Sequence, residues 1–90
     1  MLIVSKELKK IVVAVAREHF GTNIFSRREL MNAVERKVKN RGLWTNEDDA
    51  ISRSAGFKSK GLAKIDWCIS SLKKDGNLLN VGRDQWQLPR

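Results

Sequence analysis

The chain has 90 residues, with 18 Lys and Arg against 10 Asp and Glu for a formal charge of +8; 41% of its residues are hydrophobic and 31% charged. That balance predicts one small globular domain over residues 1–90, with a thin core that buries only ~60–65% of the surface of the unfolded chain, and an excess charge that points to a polyanionic partner. A single cysteine, Cys68, and a single histidine, His19, exclude an internal disulfide and a four-ligand Cys/His zinc site, and no apolar run approaches the ~20 residues of a membrane-spanning helix.

Lys6 to Phe20 places Leu8, Ile11, Val12, Val15 and His19 at helical spacing, with Ser5 as the expected cap and Gly21 after the end. Thr22-Asn23-Ile24-Phe25 is too short for a helix and suits a brief strand. Ser26-Arg27-Arg28-Glu29 has capping-box spacing, so a second helix is predicted from Arg27 to about Arg41, burying Leu30, Ala33, Val34 and Val38. Thr45 and Asp48 suggest a cap for a short helix over Asn46 to Ser54, and Gly56-Phe57-Lys58-Ser59 reads as a turn. Ser59 then caps a third helix from about Lys60 to Lys74, with Leu62, Ile65, Ile69 and Leu72 as its core stripe. Asn77 to Leu88 reads as a hairpin, with Leu79 and Val81 alternating on its first strand and Trp86 and Leu88 on its second, around Gly82-Arg83-Asp84. The expected fold is α+β and mainly helical: a winged helix-turn-helix with three main helices, one short helix and a small antiparallel sheet ending in the wing. Met1 to Lys10 turns from apolar to basic, the reverse order of a secretory signal, which predicts a cytoplasmic, reducing setting, prokaryotic and nucleoid-associated if the chain binds DNA.

Trp67 to Leu88 carries a resemblance. Trp67 leads a helix ending in Leu72-Lys73-Lys74-Asp75-Gly76, then comes Asn77-Leu78-Leu79, a short turn and Trp86-Gln87-Leu88. This resembles the N-terminal domain of Mrr-type restriction endonucleases, and Leu43-Trp44-Thr45-Asn46-Glu47-Asp48-Asp49 is similar to the acidic phrase that precedes a short helix there. The resemblance covers the last half of the chain and, before that, only the order of elements. It implies a winged-helix, DNA-binding accessory domain without the family's separate catalytic domain.

No enzyme is expected from the residues themselves, and no cofactor. Glu35-Arg36-Lys37 matches the (Asp/Glu)-x-Lys of a metal-dependent nuclease, but a mid-helix position among basic neighbours fits a solvated face better. Cys68 and His19 fall at or near the edges of apolar stripes on different helices, where packing explains both. Asp48 and Asp49 are explained by capping.

The basic residues point further. Arg53, Lys58, Lys60 and Lys64 occur in a stretch without acids and bracket the N-terminus of the third helix, the end that enters the major groove in helix-turn-helix proteins. Lys60, Lys64, Ser71 and Lys74 lie away from its core stripe, and Ser59, Ser70 or Ser71 suits a phosphate or base edge. Arg27 and Arg28 fit a backbone contact or plain solvation equally. Arg83 at the wing tip fits a DNA contact, although Asp84 beside it allows turn chemistry alone. Trp67 falls opposite the core stripe; the family match favours packing, and exposure would allow stacking on a base. Trp86 and Trp44 are expected to pack. The function that follows is double-stranded DNA binding, with the third helix in the major groove and the wing on the backbone, and with neither a membrane nor a small-molecule substrate as partner. The alternative is a module that binds a protein partner or itself as a homodimer, which an exposed Trp67 beside apolar neighbours would favour. RNA is a third partner that the charge allows.

Overall fold

The computed structural model describes residues 1–51 and 59–89. Three helices, α1 (Ser5–Phe20), α2 (Arg27–Asn40) and α3 (Lys60–Lys74), pack pairwise and are followed by an antiparallel hairpin of β1 (Leu79–Gly82) and β2 (Gln85–Gln87). The architecture is therefore α+β and mainly helical. A 3₁₀ turn at Asn46–Asp49 precedes α3.

Each helix is amphipathic, and the three apolar faces meet in one cluster containing Val12, Val15, Leu30, Val34, Val38, Ile65, Ile69 and Leu72. The ends are set by local chemistry. The Ser26 hydroxyl accepts from the Glu29 amide and the Glu29 carboxylate accepts from the Ser26 amide, both at 3.0 Å. Ser59 Oγ accepts from the Leu62 amide at 3.2 Å and starts α3. In α1 the cap is Val4, not Ser5: Ser5 is already helical, and the Val4 carbonyl accepts from the Glu7 and Leu8 amides. His19 is exposed at the end of α1, where Ala16 completes the buried stripe and Phe20 stacks on Phe25 at 4.6 Å.

The short helix expected over Asn46 to Ser54 is only the four-residue 3₁₀ turn, because Ala50 is already extended and Ile51 forms an isolated bridge with Ser59. The end of that stretch and the turn at Gly56 to Lys58 lie outside the described residues. The strand expected at Thr22 to Phe25 contracts to a single antiparallel bridge, in which Phe25 and Trp86 exchange amide–carbonyl bonds of 2.9 and 2.8 Å.

In the hairpin Trp86 and Leu88 are buried, but the inward residue before the turn is Leu78, at 1% exposure, while Leu79 and Val81 face solvent. The end of α3 decides this. The Leu72 carbonyl accepts from the Asn77 and Leu78 amides, and Gly76 adopts φ +80°, so Leu78 is turned under the helices before pairing begins. Val81 is then extra in the register, between Asn80↔Trp86 and Gly82↔Gln85, as a bulge.

Trp44 packs half-buried against the core, and its Nε1 donates to Asp49 Oδ1 at 2.8 Å. Gly61 lies directly beneath its ring: a Cβ there would come closer than 3.0 Å to three ring atoms. Gly61→Ala is therefore expected to destabilise the protein by about 1–3 kcal/mol through overpacking, despite alanine's better helix propensity. A chemical denaturation curve for the variant checks this, and unchanged or increased stability contradicts it.

Candidate nucleic-acid interface

α3 packs against α1, α2 and the 3₁₀ turn, which leaves, among the described residues, an outward stripe of Lys60, Ala63, Trp67, Ser70 and Lys74, flanked by Lys64 and Ser71. Trp67 stands at the middle of this stripe and is 56% exposed. The expectation that it packs is thus corrected. Among the described residues no helix or strand packs over the side of α3 on which Trp67 falls. Its environment is basic. Lys9 of α1 places Nζ 5.2 Å from the indole centroid, and Lys60, Ala63, Lys64 and Ser5 line a shallow recess of about 450 Å³ with it.

The acids near this face are engaged. Asp75 Oδ2 lies 3.8 Å from Lys9 Nζ, and Glu47 Oε1 lies 3.6 Å from Lys60 Nζ. The Lys60–Glu47 pair is solvent-exposed and Lys9 is half-buried beside an exposed Asp75; at these separations both pairs hold the lysines only weakly. Lys64, Lys74, Arg28 and Arg83 are exposed and make no ion pair among the described residues. Ser59 is half-buried and its hydroxyl serves the cap of α3. Ser71 is half-buried on the flank of the stripe. Arg53 and Lys58 lie outside the described residues.

Arg27 is not simply solvated. Its Nε donates to Asp66 Oδ1 at 2.6 Å, and its Nη2 donates to the Asp66 carbonyl at 2.8 Å and to Ser70 Oγ at 2.7 Å. The guanidinium also lies 5.2 Å from the Trp86 ring centroid, and the Arg27 amide donates to Asp84 Oδ1 at 3.1 Å. One residue at the start of α2 thus ties the middle of α3 to the turn of the hairpin. Asp84, with φ 52°, both turns the hairpin and fastens it to the N-terminus of α2, where a carboxylate is favoured by the helix dipole. Arg27→Ala is expected to cost about 2 kcal/mol through the loss of these charge-assisted bonds. A thermal melt checks it, and a loss below about 0.5 kcal/mol contradicts it.

Arg28 lines a groove between α2, α3 and the hairpin turn, with Met31, Asn32, Leu62 and Asp84. The outward face of α3 is therefore flanked by Lys9 of α1 on one side and by Arg28 and the hairpin turn on the other. Lys9 is a site residue that the sequence does not single out. Its only signal is a place in the basic run Lys6, Lys9, Lys10, which reads simply as the far side of an amphipathic helix.

The groups considered for catalysis sit otherwise. Cys68 is buried; burial pushes its thiol pKa up, against the smaller opposing effect of the Lys9 charge. Glu35 pairs with Lys39 at 3.7 Å, and Lys37 with Glu18 at 3.9 Å. Among the described residues no group of three or more His, Cys, Asp or Glu is placed to hold a metal ion, and no helix is long and apolar enough to cross a membrane. Compared with protein-family models, with curated proteins and with solved structures, the chain matches none.

Proposed function

We propose that the chain is a winged helix that binds double-stranded DNA, with α3 in the major groove and the wing tip on the backbone, and that it carries no catalytic activity of its own. The observation that carries this reading is the outward face of α3: an exposed Trp67 set among Lys9, Lys60 and Lys64, with Lys74 further along the same helix. Cations interleaved with an aromatic suit a phosphate backbone with bases between. The order of helix, bridge, helix, helix and hairpin agrees with that fold, and the motif from Trp67 to Leu88 with an accessory module like that of Mrr-type endonucleases.

A protein-interaction module is the second reading, and the exposure of Trp67 speaks for it. The lysines that border the indole on both sides speak for an anionic ligand.

Anisotropy with a labelled mixed-sequence duplex of about 20 base pairs tests the reading. Micromolar binding at low salt is expected, with a log–log salt slope of about −4 to −5 for roughly five neutralised phosphates. A folded sample that binds no duplex at low salt overturns it.

A further inference from the structure

Ala63 and Trp67 are one helical turn apart and are the two apolar residues of the outward stripe of α3. The indole stays 56% exposed, and the Lys9 ammonium, 5.2 Å from its centroid, steadies it from the α1 side. Lys60 and Lys64 border the same recess. The result is an apolar strip with a cationic margin. Lysines that reach phosphates on either side would press the strip against whatever lies between the strands. In the major groove the base edges are hydrogen-bonding groups with one exception, the C5-methyl of thymine. An indole and a β-carbon have no hydrogen bond to give the other edges, apart from the single indole N–H, so they match that group best.

We propose that Ala63 and Trp67 read thymine methyl groups in the major groove and give the protein a preference for thymine-bearing sites. This rests on the DNA-binding reading above, and its test separates the two. Two duplexes of about 20 A·T and T·A pairs in mixed order are compared, identical except that uracil replaces thymine in both strands. Removing one buried methyl group should weaken binding about fourfold, so reading one or two methyls gives roughly a 4- to 15-fold preference for the thymine duplex. Trp67→Ala should reduce the preference about fourfold, the share of the methyl lost with the indole, leaving only what Ala63 contributes, and Trp67→Phe should keep it. A melting curve of each variant, expected to match the parent because the side chain is exposed, confirms folding.

Equal binding of the two duplexes by the unaltered chain overturns thymine reading and leaves DNA binding standing. A thymine preference that is undiminished in Trp67→Ala overturns the residue assignment. Tighter binding to single-stranded oligothymidylate than to duplex replaces methyl reading with base stacking. No binding to any of these ligands at low salt removes both the inference and the function beneath it.

Discussion

Changing Lys60 and Lys64 together to glutamate is expected to weaken duplex binding about 100-fold at ~0.1 M salt and to make the salt slope shallower by about 2. The magnitude follows from counterion release. Affinity scales with salt to the power of about −0.9 per neutralised phosphate, so at ~0.1 M each one contributes roughly 8-fold relative to 1 M salt. Leaving two phosphates without a lysine gives about 60-fold, and the repulsion of two new carboxylates adds the rest. Folding should be untouched. Both lysines are exposed, and the one ion pair they make among the described residues, Lys60 with Glu47 at 3.6 Å, joins two exposed side chains, which makes it a weak one. The variant is compared with the parent by anisotropy at several salt concentrations, beside a melting curve. An unchanged affinity in a folded variant sinks the placement of α3 at the interface.

The second large effect lies at Asp48. It is 1% exposed, and its carboxylate accepts from the Thr45 amide at 2.8 Å and the Thr45 hydroxyl at 3.0 Å. The Met1 α-ammonium lies 2.8 Å from Oδ2 and donates to Oδ1 at 2.9 Å. Asp48→Ala removes every one of these and leaves a part-buried ammonium without its counter-charge, for an expected loss of about 3–4 kcal/mol. A domain of this size has roughly 5–13 kcal/mol in total, so the melting temperature should fall by about 20 °C. Asp48→Asn, which keeps an acceptor for Thr45 but not the charge, should fall between.

The pH dependence has a definite sign. Burial alone would raise the Asp48 pKa; the ammonium hydrogen bond, the Thr45 bonds and the ammonium charge outweigh it, and the folded value lies below the ordinary 3.8. A depressed folded pKa means that the stabilisation is complete well above 3.8 and is lost as the pH falls past 3.8 and through the folded value. The stability gap between the parent and Asp48→Asn should therefore narrow between about pH 5 and the acid limit. A gap of the same size at about pH 7 and about pH 2.5 contradicts the ion-pair assignment.

Much of this molecule follows from local rules. The Ser26–Glu29 capping box and the Ser59 cap depend on residues within four positions of each other. Their partners are carried in the same short phrase, so α2 and α3 begin where the spacing says. The inward residues Leu30, Val34, Ile65, Ile69 and Leu72 follow from the 3.6-residue period in the same way.

Interactions between distant residues settled the remainder. Leu78 and Leu79 are adjacent and equally apolar, so alternation alone admits either register. The Leu72 carbonyl chose, by capturing the Asn77 and Leu78 amides. Arg27 carries a charge that reads as surface, until α3 brings Asp66 and Ser70 within 2.6–2.7 Å of it across 39 and 43 residues of sequence. Trp67 is undecidable on the helical wheel, because whether the side of α3 opposite its core stripe is covered depends on where α1, α2 and the 3₁₀ turn lie. They cover the inner side and leave the indole in water beside Lys9. Periodicity and capping act over one or two turns of chain and so are written in neighbouring residues. The register, the Arg27 network and the exposure of Trp67 depend on residues far apart in sequence, and such partners exist only once the helices have packed.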